Sequence, residues 1–209
     1  MEYLPYASIL LELVAAIFAT IHFKKYAISN EKYFLHFLWY TFSIDTLGSI
    51  LNYFSIDNSW LFNIFTVTSF LFYFYWYYTI LKSKKLRIIT IAATLFFLGM
   101  TLLTYIVPQL AGQGYAFVAG SFGLLILTVF NHYQLLKGDE VLILKYKLSF
   151  WISTALLLFY MGLIPFALLS KYLDLNEMTG SVILLCLNVI LYGCYVIGFI
   201  WTKQRYNRF

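Results

Sequence analysis

Apolar residues in this chain come in seven runs separated by short polar stretches: Leu4–Phe23, Tyr33–Phe54, Trp60–Leu81, Ile88–Val107, Tyr115–Leu136, Ser149–Leu169 and Met178–Thr202. Each run is about 20 residues long, which at about 1.5 Å of rise per residue crosses the roughly 30 Å of hydrocarbon in a bilayer. The pattern predicts an all-α, polytopic membrane protein: seven transmembrane helices forming a single domain over residues 1–209. The first run follows Glu2 rather than a basic segment and is longer than a signal-peptide core, so it is expected to stay as a helix.

The polar stretches carry a sign. Lys24, Lys25 and Lys32 follow the first run, and Lys82, Lys84, Lys85 and Arg87 follow the third. Lys137, Lys145 and Lys147 follow the fifth, and Lys203, Arg205 and Arg208 follow the seventh. Thirteen of the 14 basic residues therefore fall on one side, and the other side has only Lys171, with Asp57, Asp174 and Glu177. Basic loops stay in the cytoplasm, which puts the N-terminus outside and the C-terminus inside a bacterial inner membrane. The 137–147 segment, mixed in sign, is expected to be a short interfacial helix or a docking point for a cytoplasmic partner.

Composition agrees. Charged residues make up 11% of the chain and hydrophobic ones 62%, against about 25% charged in a soluble domain. The net charge of +5 is scattered between apolar runs rather than gathered on one stripe, so no nucleic-acid partner is expected. Cys186 and Cys194 lie eight residues apart in one run, about 12 Å along a helix, too far for a disulfide.

Candidate chemistry sits inside the runs. Glu12 and Asp45 are carboxylates in hydrocarbon, where an ionisable group costs about 2.5–3.5 kcal/mol on insertion scales and marks a functional site by default. Glu12 shares a helix face with Ser8, Ala16 and Thr20, and Asp45 shares one with Thr41, Gly48 and Asn52. The third helix offers Asn63, Thr66, Phe70, Tyr73 and Tyr77, the sixth Ser153, Tyr160 and Pro165, and the seventh Ser181, Asn188, Tyr192 and Tyr195. Glu12, Asp45 and Asn188 each lie eight to ten residues from the outer end of their runs, a common depth of roughly 12–15 Å. Two acids at one level are expected to share a proton or to bind a cation, an amine or a hydroxyl group; hydrogen bonds to Thr41, Asn188 or Tyr192 are the structural alternative. The binding set read from this pattern is Glu12, Asp45, Asn188, Tyr192, Tyr160, Thr41 and Asn63. His22, His36 and His132 fall at inner helix ends, where a metal site with Glu31 or Asp139 is a further candidate. The aromatic run Phe70–Tyr78 turns some rings inward on any helix rotation.

Several classes are excluded. The seventh run has no lysine to hold retinal, and neither GxSxG nor HExxH occurs. The histidine-rich zinc pattern of alkaline-ceramidase-like hydrolases is not reproduced either, and no cofactor is expected.

The chain resembles a family of seven-helix integral membrane proteins of Bacteroidetes-type bacteria, themselves similar to the membrane halves of some sensor kinases. The likeness is carried by Glu-Leu-Val-Ala-Ala-Ile at 12–17, Tyr-Phe-Leu-His-Phe-Leu-Trp-Tyr-Thr at 33–41 and Trp-Leu-Phe-Asn-Ile at 60–64. Asp-Glu-Val-Leu at 139–142, Phe-Trp-Ile-Ser at 150–153, Phe-Tyr-Met-Gly-Leu-Ile-Pro-Phe at 159–166 and Leu-Asn-Val-Ile-Leu-Tyr-Gly-Cys at 187–194 extend it. The resemblance implies an acidic residue at position 45, often Glu, so Asp45 would be one methylene shorter. Together these readings point to a non-enzymatic sensor or receptor-like module that binds a small or lipidic ligand in an outward-facing pocket among helices one, two, three, six and seven and signals through its inner loops to a separate partner. A proton- or cation-coupled transporter using Glu12 and Asp45 is the alternative, and a lipid-modifying enzyme built on the histidines is a third.

Overall fold

The computed structural model describes residues 4–107, 114–137, 141–169 and 177–207. Seven long helices follow one another: α1 Leu4–Ile21, α2 Lys32–Tyr53, α3 Ser59–Ile80, α4 Lys84–Ile106, α5 Gly114–Leu136, α6 Leu148–Leu169 and α7 Glu177–Trp201. The class is all-α, as the runs predict, with small shifts at the ends. α1 closes at Ile21 and passes into a 3-10 turn, Phe23–Lys25. α4 starts at Lys84, four residues before its apolar run, because Lys and Leu are good helix formers whatever their hydropathy. The 137–147 segment forms a short 3-10 helix over Val141–Tyr146, and α6 runs on through Pro165 as one helix.

Among the described residues, four helices are long and apolar enough to cross a membrane: Lys84–Ile106, Gly114–Leu136, Leu148–Leu168 and Met178–Trp201. α1 contributes a shorter apolar helix over Tyr6–Ile21. α2 and α3 fall short by composition. α2 carries Lys32, His36, Asp45 and Asn52, and α3 carries four tyrosines and two tryptophans, whose polar atoms lower its hydropathy. The outward surface is nonetheless apolar, with Leu10, Ile64, Leu95, Phe96, Val129 and Val189 all exposed. Apolar surface of that extent marks a membrane or interaction face rather than a solvated one, and with the four apolar helices it supports a membrane protein.

The helices close into a ring in chain order, with α7 packed back on α1, and α3 also reaches α5. α3 therefore fills the middle, which explains the aromatic run. Phe70, Tyr73, Phe74, Trp76 and Tyr77 are all buried. Phe72 stacks on Phe37 of α2 with ring centroids 4.2 Å apart, and Phe70 meets Phe97 of α4 at 4.9 Å and Tyr160 of α6 at 6.2 Å. Such pairs contribute about 0.5–1.5 kcal/mol each beyond burial. In lipid, packing and hydrogen bonds supply what the hydrophobic effect supplies in water. Small residues let the backbones approach: Ala15, Ala16 and Ala19 of α1 are fully buried, and a Cβ at Gly198 would lie 2.6 Å from the Trp151 Cβ.

The four basic segments meet at one end of the bundle. Lys25 Nζ donates to the Ile200 carbonyl at 2.8 Å, the Lys203 amide donates to the Tyr146 carbonyl at 3.2 Å, and the Lys82 amide donates to Gln134 Oε1 at 2.8 Å. Lys171, Asp174, Asp139 and Arg208 lie outside the described residues.

Candidate functional site

Six of the seven predicted binding residues line a single cavity of about 200 Å³: Glu12, Thr41, Asp45, Tyr160, Asn188 and Tyr192. Helix periodicity brings them there. Glu12 lies one turn from Ala15 and Ala16, on the face of α1 that packs between α2 and α7, and it is 3% exposed. Tyr192 of α7 donates its hydroxyl to Glu12 Oε1 at 3.1 Å. One turn nearer the start of the same helix, Asn188 Nδ2 donates to Ser8 Oγ at 3.2 Å. Thr41, on α2, donates to the Phe37 carbonyl of its own helix at 3.0 Å.

The two acids meet. Asp45 and Glu12 face each other within hydrogen-bonding reach across the α1–α2 contact. Adjacent carboxylates, here Glu12 buried and Asp45 half-buried, repel strongly when both are ionised, so an ionised pair is stable with one shared proton or with a cation between the two. Glu12 Oε2 is buried and meets no amide, amine or hydroxyl donor among the described residues. Ser69 Oγ, on the α3 wall of the same cavity, is also buried without a partner. A buried polar group left without any partner costs about 1–3 kcal/mol, a penalty that falls on Ser69 and that Glu12 avoids only through Asp45.

The remaining wall is aromatic, with Phe37, Phe70, Phe117 and Phe159 among the rings, and no Lys, Arg or His is among its described lining residues. A negative pair with no basic counter-charge, enclosed by ring faces, suits a cation or hydrogen-bond donor.

Two groups of sequence-based candidates lie away from the cavity. Asn63 does not line the cavity; Thr66 and Ser69, one and two turns further along α3, take its place. Asn63 shares a face with Phe70, but at the fifth position of α3 it sits above the level of the acids. The histidines are not gathered either. His22 Nδ1 pairs with the Phe18 carbonyl at 3.0 Å, and His36 is exposed. His132 pairs with the Thr128 carbonyl at 2.9 Å and with Thr154 Oγ1 at 3.1 Å. Among the described residues no three His, Cys, Asp or Glu side chains group as metal ligands. Glu31 is buried beside Ser29; burial pushes its carboxyl up, and the hydrogen bond from Ser29 partly opposes this.

Two further features lie beyond the predicted set. A second cavity of about 280 Å³, walled by Ser8, Ser49 and Ser181, shares Asp45 and Asn188 with the first. Toward the basic end, the Tyr73 and Tyr195 hydroxyls pair at 3.2 Å. Tyr77 then meets Thr128 Oγ1 at 2.8 Å, and Asn131 donates to Ser153 Oγ at 2.7 Å. Ser69 was legible only as a small polar residue in an aromatic run, a weak signal on its own.

No protein-family model, curated protein or solved structure matches the chain. A functional reading therefore rests on this geometry.

Proposed function

We propose that the chain is a seven-span protein of a bacterial inner membrane, its amino end in the periplasm and its basic end in the cytoplasm. In this reading it is a sensor or receptor-like module that binds a small ligand, amine-bearing or hydroxyl-bearing, in the cavity beside Glu12 and Asp45. The observation that carries it is that Glu12 Oε2, which has only Asp45 beside it, and Ser69 Oγ, which has no partner among the described residues, stand on the walls of one aromatic cavity. A protonated amine donates to the acid pair, displaces the shared proton and sits against ring faces; a hydroxyl bonds to both oxygens. The resemblance to the Bacteroidetes-type family supplies the bacterial origin, and the basic loops are the surface through which a cytoplasmic partner would read occupancy.

Size sets the probe. A 150 Å³ apolar cavity holds benzene, so about 200 Å³ suits a ring bearing one polar arm. Benzylamine, benzyl alcohol and toluene differ only in that arm. Calorimetric titration of the detergent-solubilised chain is expected to rank benzylamine first and toluene last. Glu12→Gln with Asp45→Asn should weaken benzylamine by roughly 10- to 100-fold, the worth of a buried hydrogen bond to a charged group. Toluene binding as well as benzylamine, or a double variant indistinguishable from the parent, overturns the proposal.

The second reading, a small proton- or cation-coupled transporter, is favoured by the neighbouring serine-walled cavity and by the hydroxyl groups that continue toward the basic end. Proton-driven uptake of benzylamine into proteoliposomes, lost in Glu12→Gln, would replace the sensor reading with this one.

A further inference from the structure

At the basic end the chain after α7 folds back on the start of α6. Thr202 Oγ1 and the Lys203 amide both donate to the Tyr146 carbonyl, at 3.3 and 3.2 Å. Asn207 Oδ1 accepts the Leu148 amide at 3.0 Å, and Asn207 Nδ2 donates to the Lys203 carbonyl at 3.1 Å. From the other side, Lys25 in the turn after α1 reaches the α7 carbonyls of Phe199 and Ile200 at 3.4 and 2.8 Å. These contacts bring three separate chain segments around one groove of about 590 Å³.

Three lysines line that groove, Lys25, Lys145 and Lys203, together with Tyr146, Trp201 and Gln204. No acidic side chain is among its described lining residues. Two of the ammonium groups are held at one ring: Lys203 Nζ lies 4.1 Å and Lys145 Nζ 5.1 Å from the Tyr146 centroid. Ring faces attract cations, but gathering three like charges still costs repulsion, which an anion would turn into attraction. The opposite wall is apolar and faces outward, with Trp201 48% and Ile200 43% exposed. Such a groove is half cationic and half apolar, and it sits where helix meets tail.

We propose that this groove binds the phosphate of an anionic phospholipid, its headgroup among Lys25, Lys145 and Lys203 and its acyl chain along Ile200 and Trp201. The shared chemistry is a phosphate monoanion; the apolar wall is what favours a lipid over a soluble phosphate ester. The inference is independent of the ligand cavity, since no residue is common to the two. It also differs from general attraction of basic loops to a membrane surface, because Lys84 and Lys85 carry as much charge but do not line the groove.

The test uses the full chain in detergent, with lipid retention read by native mass spectrometry. Dioleoylphosphatidylglycerol should be retained, and dioleoylphosphatidylcholine and glycerol phosphate should not. Each basic residue near a surface contributes about fivefold in affinity for an anionic lipid. Lys145→Gln alone should therefore weaken phosphatidylglycerol about fivefold, and Lys145→Gln with Lys203→Gln about 30-fold. Lys25 is left in place because it also caps α7. Lys84→Gln with Lys85→Gln, which removes the same charge elsewhere, should change affinity less than about twofold. Equal retention of the two lipids, equal loss in the control variant, or glycerol phosphate matching phosphatidylglycerol each overturns the proposal. The single variant keeps the test open should the double one unfold, since Lys145 is exposed.

Discussion

The hydrogen bond from Tyr192 to Glu12 joins α7 to α1 where the ring closes, and the consequence of removing it follows from the geometry. Tyr192→Phe deletes one hydroxyl and leaves the ring's packing intact. Glu12 Oε1 then loses its 3.1 Å donor while Oε2 already has none from an amide, amine or hydroxyl. Inside a bundle such an interhelical bond is worth about 0.6–1.7 kcal/mol, less than intuition suggests, because the membrane-embedded reference state also finds partners. A carboxylate left with neither oxygen bonded would cost more, about 1–3 kcal/mol. The size of the loss therefore reports whether Asp45 shares a proton with Glu12: the lower range with sharing, the upper without. The assay is a double-mutant cycle, with Tyr192→Phe measured in the parent and in Glu12→Met by reversible unfolding in mixed micelles. Methionine accepts no hydrogen bond of comparable strength, so the tyrosine hydroxyl should no longer matter, and the coupling should equal the whole loss in the parent, about 0.6–1.7 kcal/mol with a shared proton and up to about 3 kcal/mol without. Additivity within about 0.3 kcal/mol would mean the hydroxyl is not bound to the carboxyl, and the described site geometry would fall.

Glu31 lies outside the helices, and burial raises its carboxyl above the ordinary 4.5. The folded state thus binds that proton more tightly than the unfolded one. Its contribution is complete below about pH 4.5 and is lost as pH rises through the folded value. Glu31→Gln should flatten the fall in thermal stability between acidic and neutral pH and stabilise the protein at pH 7; an unchanged pH profile refutes this. Gly198 and Gly99 make a steric pair. A Cβ at Gly198 would sit 2.6 Å from Trp151 Cβ, whereas one at Gly99 would meet no described atom within 4 Å beyond its own stretch of helix backbone. Gly198→Ala should cost about 1–3 kcal/mol by forcing α6 and α7 apart. Gly99→Ala should gain about 0.5–1 kcal/mol from helix propensity, and the same unfolding assay reads both.

Much of the architecture was legible one residue at a time. Hydropathy is a local property, so each apolar run announced a helix, and the structure moved its ends by only a few residues. Helical period is local too. It put Glu12 on a face with Ser8 and Ala16, and equal distance from the helix ends suggested that Glu12, Asp45 and Asn188 share a level. All three do line one cavity. The same reasoning failed for Asn63 because a face runs the whole length of a helix and a cavity takes only part of it. Level along α3 had to be judged against neighbours the period does not see.

Which way each helix turns about its own axis, and which partners it meets, belong to packing alone. Phe70 lies under Gly120 and Trp151 beside Gly198 because those are the places where another helix leaves room. Those choices then put Ser69 into the cavity, aim Tyr192 at Glu12 and tie His132 to Thr154 rather than to a metal cluster. Lys25, Lys145 and Lys203 stand far apart in the chain and become one groove only when the tail folds back on α6. Helix number, apolar length and the clustering of basic loops follow from local chemistry, which the order of residues contains outright. The cavity and the groove are sums over contacts between distant segments, and only the assembled bundle defines them.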